Sequence, residues 1–225
     1  MMQNGGRNPI RPHTMPYLIL LGDSILDNGA YTAGGPDVLA QARLCLPPDW
    51  RCDLLAVDGS TTADIADQLA RLPAQATHLL LSVGGNNALL NVDVLDRPVA
   101  SSGAGFLLLA EVAAAFETAY RATILACLAH GLPLVVCTIY GGNFADPAYQ
   151  RTAGLALTVF NDVIIRTAID HRLRVIDLRL ICDTPADYAN PIEPSSIGGA
   201  KIAQAIARAV TEPAHAGRGA HLVGL

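Results

Sequence analysis

The sequence predicts an α/β domain in which a parallel sheet is buried between layers of helices. Three observations lead there. Five short apolar runs alternate with longer segments of helical spacing, the pattern of successive strand–helix–strand units. The composition is 51% hydrophobic but only 5% aromatic, so the apolar content is Ala, Leu and Val, which suits helices packed on a parallel sheet better than a β-sandwich. Small polar residues stand directly after several of the apolar runs, where a parallel sheet places its loops.

The elements follow in order. Residues 1–16 are polar and rich in Gly, Asn, Arg and Pro, without the apolar stretch of a signal peptide, and are expected to be a disordered leader. Tyr17 to Leu21 reads as a strand buried on both faces, ended by Gly22. A helix is expected from about Asp37 to Leu46, stopped by Pro47 and Pro48. Cys52 to Val57 is a second strand. Thr61 and Thr62 are candidate N-caps for a helix to about Leu72. Thr77 to Val83 is a third strand, halted by Gly84 and Gly85. The polar stretch from Asn91 to Gly105 is a candidate lid. Helical spacing runs from Phe106 to His130, with Gly131 as its stop. Leu134 to Ile139 is a fourth strand, Tyr149 to His171 a helix, Leu173 to Leu178 a fifth strand and Ile197 to Val210 a closing helix. The expected organisation is one domain over 17–211 and a flexible tail over 212–225.

The totals narrow the function classes. A net charge of −5 without a basic run argues against nucleic acid. No run of roughly 18 uninterrupted apolar residues marks a membrane span, so a cytoplasmic protein with no membrane partner is expected. Cys45, Cys52, Cys127, Cys137 and Cys182 are odd in number and form no Cys-x-x-Cys pair. They read as free thiols, and nothing calls for a metal or a cofactor. The oligomeric state is not set by the sequence.

The strand ends carry the chemistry. Gly22-Asp23-Ser24 follows the first strand, Asp58-Gly59-Ser60 the second and Gly84-Gly85-Asn86-Asn87 the third. Taken together, in this order and placement, they resemble the first three blocks of the SGNH/GDSL hydrolases. The resemblance covers Tyr17 to Val210. It implies a three-layer α/β/α, flavodoxin-like fold around a five-stranded parallel sheet. It also implies Ser24 as nucleophile, with the Ser24 and Gly59 N–H groups and the Asn86 side chain as an oxyanion hole. These residue types suit acyl transfer. Gly lets its N–H approach closely, and Asn offers a neutral donor that does not titrate.

The last block departs from the family. Where the family has Asp-x-x-His-Pro, this chain has Asn190-Pro191-Ile192-Glu193-Pro194. His13, His215 and His221 fall in the ends, and His78, His130 and His171 fall at the opposite edge of the sheet. Glu193 is therefore the candidate base, with Asn190 expected to donate a hydrogen bond that orients it. Burial of Glu193 would raise its pKa and that bond would lower it, and the sequence leaves the balance open. Asn87 is expected to support its loop. Asp23 and, by position alone, Asn143 are candidate substrate contacts, and Asp27, Asn28 and Tyr31 are either pocket or loop packing.

The leading reading is a serine hydrolase acting on small esters through Ser24. The alternative is a catalytically impaired pocket that binds a small ligand without turnover. A nucleotide or phosphate binder is the third reading, but the first turn lacks phosphate-loop glycine spacing and Asp23 would repel phosphate.

Overall fold

Alternate residues of each strand feed two separate cores, one on each side of the sheet. In the computed structural model, which describes residues 15–212 and 221–223, the sheet has six parallel strands in the order β2-β1-β3-β4-β5-β6. These are β1 (Tyr17–Gly22), β2 (Arg51–Leu54), β3 (His78–Ser82), β4 (Leu134–Cys137), β5 (Arg174–Ile176) and β6 (His221–Val223). Leu18, Leu20, Leu80, Val135 and Ile176 point to one face. There they pack against α1 (Val38–Cys45) and α6 (Ser196–Thr211). Ile19, Leu21, Leu79, Leu81 and Val136 point to the other. They meet α2 (Ile65–Leu69), α4 (Ser102–Leu128) and α5 (Pro147–His171) through Ile65, Phe116, Tyr120, Phe160 and Ile164. This is the three-layer α/β/α arrangement, and the strand period of two explains why the runs read as continuously apolar.

Local chemistry sets the helix starts. The Asp37 side chain accepts the Ala40 N–H at 2.7 Å. Thr61 and Asp64 form a reciprocal capping box. Asp146 caps α5 with Pro147 in its first turn. Ser195 accepts the N–H groups of Ile197 and Gly198 at the start of α6.

Several boundaries differ from expectation. The segment after Thr61 is a 3-10 turn over Thr62–Asp64 followed by the short α2, which ends before Leu72. Asn86 and Asn87 stand on a five-residue helix, α3 (Gly85–Leu89), rather than in a plain loop. The expected five-stranded sheet has a sixth strand. His221–Val223 pairs in parallel with Arg174–Ile176, so the flexible tail expected over 212–225 includes sheet. Three residues are too few to show periodicity, and the pairing satisfies backbone groups that β5 would leave open at an edge. The rest of that tail (213–220 and 224–225), and residues 1–14 of the leader, lie outside the described residues.

The cysteines are free thiols, four buried and Cys45 exposed. By length and composition alone, α4 and α5 are apolar enough to cross a membrane, although no uninterrupted apolar run marks them. Phe160, Val163, Ile164 and Ala168 of α5 sit in the core beside the sheet, as do Phe116, Tyr120, Ile124 and Cys127 of α4.

Strand order reverses between β1 and β3. In open parallel sheets the crevice beyond the strand ends at such a switch point is where ligands bind. Ser24 follows β1 and Asn86 follows β3.

Candidate active site

The end of β1 is locked before Ser24 begins. Gly22 pairs with Ser82 in register, and at φ 134° a Cβ there would lie 1.8 Å from the Ser82 carbonyl oxygen, so only glycine fits. The buried Gln68 clamps the same residue from both sides. Its Oε1 accepts the Gly22 N–H and its Nε2 donates to the Gly22 carbonyl, both at 2.8 Å. Asp23 then donates its N–H to Ser82 O at 3.1 Å, and its carbonyl accepts the N–H groups of Leu26 and Asp27. Ser24 thus starts a single helical turn and is 6% exposed.

The donors expected for an oxyanion hole are free to act. Among the described residues, the backbone N–H groups of Ser24 and Gly59 donate to no protein acceptor. Asn86 Nδ2 donates one hydrogen to Ser60 O at 2.9 Å, which leaves the other. That bond joins the Gly59 turn to α3, and Val57 N–H donation to Gly22 O joins the same turn to β1. Gly59, at φ 81°, is itself exposed and is not among the cavity-lining residues. Asn87 holds its loop as expected, accepting the Thr62 N–H at 3.1 Å and donating to Thr62 Oγ1 at 3.0 Å.

Glu193 rides on a small hairpin. Tyr188 and Pro194 form an antiparallel bridge, and Ala189 donates to Glu193 O at 2.9 Å. Asn190 closes the turn in a manner opposite to the expected one. Its Oδ1 accepts the N–H groups of Ile192 and Glu193, each at 2.9 Å, and no bond from Asn190 reaches the Glu193 carboxyl. The physical reason is local. An Asn side chain bonds the backbone two or three residues on more readily than it reaches a side chain that points away. Asn190 is exposed, whereas Glu193 is 6% exposed. Two further residues fix the hairpin. Asn28 Nδ2 donates to Pro194 O at 3.2 Å while its Oδ1 accepts the Val38 N–H, and Tyr140 Oη donates to Ile192 O at 2.6 Å.

Ser24, Asp23, Asn86 and Glu193 meet in one open cavity. The Glu193 carboxyl is raised above its ordinary value of 4.5, first by burial and then by the charge of Asp58, and the Ser24 hydroxyl draws it partly back. Burial therefore wins the balance the sequence left open. The buried Glu193 Oε2 has no hydrogen-bond partner among the described residues, as is also true of Thr167 Oγ1 and Asp187 Oδ1. Asp23 is pushed up to about 7, chiefly by burial, with Glu193 adding to the rise.

Other expected residues lie elsewhere. Asn143 is exposed and outside the cavity, and its backbone N–H donates to Pro191 O at 2.8 Å. The reading by position alone fails there because Gly142, at φ 69°, turns the chain and Phe144 takes the lining position. Tyr31 donates to Asp58 at 2.6 Å and Asp27 accepts the Asp58 N–H, so both serve loop packing, as Asn28 does. No histidine among the described residues lines the cavity. His78 stands at the start of β3 against Trp50. Among the described residues no group of His, Cys, Asp and Glu is placed to hold a metal.

Sequence reasoning missed Gln68 and Tyr140. Gln68 bonds the backbone of a residue 46 positions away, which leaves no local signal. Tyr140 stands three residues after the end of β4, close enough to the strand end for its placement to be a signal.

No curated protein sequence matches this chain. Solved structures do, at identities that speak for the fold. A lipase from Streptomyces rimosus matches at TM-score 0.61 and 18% identity, over 83% of this chain and 95% of its own. A lipolytic G-D-S-L protein from Veillonella parvula matches at 0.64 and 14%, over 87% and 99%. The acetylxylan esterase Axe2 from Geobacillus stearothermophilus, as a catalytic mutant, matches at 0.62 and 18%, over 88% and 95%. The GDSL-like lipase/acylhydrolase family model matches residues 20–201, which span every site residue described above. The chain therefore belongs to the GDSL-like lipase/acylhydrolase family.

Proposed function

We propose that this protein is a serine ester hydrolase in which Ser24 is the nucleophile and Glu193 takes the place of a histidine base. The observation that carries this reading is the buried Glu193 carboxyl, with one unpartnered oxygen, acted on by the Ser24 hydroxyl at the strand-end cavity.

The steps follow from the chemistry of these groups. Ser24 Oγ attacks the ester carbonyl carbon while Glu193 accepts its proton. The oxyanion that develops receives hydrogen bonds from the Ser24 and Gly59 N–H groups and from Asn86 Nδ2. Protonated Glu193 passes its proton to the departing alcohol, leaving an acyl-Ser24 ester. Water, deprotonated by Glu193, then attacks that ester, and the proton returns to Ser24 Oγ as the acid leaves. A carboxyl raised by burial serves both directions better than an ordinary glutamate. It is a stronger base when ionised and holds its proton long enough to donate it. Asn190 acts on this step through the backbone turn that carries Glu193.

The alternative is ligand binding without turnover, favoured by the lack of a histidine among the described residues of the cavity. Labelling by an alkyl fluorophosphonate separates the two. The hydrolase reading expects a covalent adduct on Ser24, absent in Ser24→Ala and slowed in Glu193→Gln. An intact protein that takes up no label supports the binding reading.

A further inference from the structure

Polarity is distributed unevenly in the cavity. Asp23, Ser24, Ser82, Thr138 and Glu193 belong to the strand ends and the loops beside them, and Asn86 to the short α3 that follows β3. The wall supplied by α4 and α5 is hydrocarbon apart from Tyr149 at the start of α5, with Leu109 and Val112 from α4 and Ala153, Ala156, Leu157 and Phe160 from α5. Leu95, from the stretch before α4, continues that wall, so the segment expected as a lid forms part of the cavity itself. Lining residues of α5 run from Tyr149 to Phe160, about 16 Å at 1.5 Å per residue. An acetyl group would leave most of this surface facing water, at a cost that grows with the apolar area exposed.

Glu193 separates the cavity from a polar rim. It lines the cavity, yet it also interacts electrostatically with Asp58 and Tyr31, neither of which lines it. An alcohol that receives its proton from Glu193 leaves toward that rim, and the helix-lined space is left for the acyl group.

We infer that the substrate is an ester of a medium-length unbranched fatty acid, of the octanoyl to decanoyl class. The alkyl chain lies between α4 and α5, with Leu157 and Ala156 among the residues that set its length. This deepens the hydrolase reading and rests on it for the position of the scissile carbonyl. It departs from the small acyl group that the sequence suggested.

The test compares p-nitrophenyl acetate with p-nitrophenyl octanoate, and octyl acetate with ethyl acetate, on the full chain. Each methylene that leaves water contributes about fourfold to kcat/KM, so octanoate is expected to exceed acetate by at least about a hundredfold. Leu157→Trp and Ala156→Phe, each confirmed folded by its melting curve, are expected to cut the octanoate-to-acetate ratio at least about tenfold by filling the chain's space. Equal rates on acetate and octanoate, or a ratio that survives both substitutions, would overturn the inference and leave the hydrolase intact. A chain-length preference confined to octyl acetate would overturn the acyl placement. If no ester is cleaved, the hydrolase reading fails, and titration calorimetry with 1-octanol decides the cavity separately. Heat of binding that is lost in Leu157→Trp supports an alkyl-chain site, and its absence in the wild type overturns it.

Discussion

Asn190 Oδ1 accepts the Glu193 N–H at 2.9 Å, so the residue that was expected to steer the carboxyl instead fixes the backbone that carries it. The same oxygen accepts the Ile192 N–H, which makes Asn190 the hub of the turn. Asn190→Ala removes the acceptor of both bonds. It is expected to cost about 1 kcal/mol in stability and to lower kcat by about tenfold through a loosened Glu193. Asn190→Asp keeps an acceptor oxygen and should retain the turn. Its added negative charge would raise the Glu193 pKa, so the acidic limb of its rate profile should move to higher pH. Urea unfolding and pH–rate curves of the two variants check both statements.

The Gln68 clamp on Gly22 predicts comparable losses from two chemically different substitutions. Gln68→Glu can still accept the Gly22 N–H, but it presents an oxygen to the Gly22 carbonyl, where the wild type donates at 2.8 Å. A loss of about 2–3 kcal/mol is expected, because two buried acceptors are set against each other while the Gly22 carbonyl keeps only the Val57 N–H. Gln68→Met, which removes both polar partners in nearly the same shape, strands the buried Gly22 N–H and should cost a similar amount. Chemical denaturation measures each.

Asp23 makes stability depend on pH in a direction opposite to most carboxylates. Its pKa is about 7 in the fold against an ordinary 3.8. Between those values the native state holds a proton that the unfolded state has released. The contribution is therefore full below about pH 4 and is lost as pH rises through 7. About three pH units at ~1.4 kcal/mol each set its scale at ~4 kcal/mol. Asp23→Asn should abolish it, so the stability difference between wild type and variant is expected to change across pH 4 to 7 in favour of the wild type at the acid end. A flat difference would refute the buried, protonated Asp23.

In the proposed mechanism, Asn86→Ala removes the side-chain donor aimed at the developing charge. A loss of about a hundredfold in kcat with little change in KM is expected, as for other oxyanion donors. The same substitution breaks the Asn86–Ser60 bond, so a melting curve is needed beside the kinetics.

The sequence brings forward Ser24, Asp23, Asn86 and Glu193, and the structure places these four in one cavity. Ser24, Gly59 and Asn86 stand out because the segments after the first three apolar runs resemble the SGNH/GDSL blocks, and that resemblance implies their roles. Glu193 emerged because no histidine shared its position in the last block. What stayed hidden depended on distance or direction. Asn28 and Gln68 work through backbone groups 166 and 46 residues away. The sense of the Asn190 bond was misjudged, although Asn190-Pro191 is itself a turn signal that favours backbone acceptance. Which effect governs Glu193 needed its burial, and β6 was too short to carry a period. The helix wall of the cavity is invisible in the sequence because Leu109 and Leu157 look like any other core residues.

The pair Ser24 and Glu193 is tested most directly by hydrolysis of p-nitrophenyl butyrate from pH 5 to 9 by wild type, Ser24→Ala and Glu193→Gln. The account predicts that each substitution lowers kcat/KM by about a thousandfold or more, and that the wild-type rate falls on the acid side with a midpoint above the ordinary glutamate value of 4.5. A Glu193→Gln protein that keeps the wild-type rate and the wild-type acid limb would contradict it.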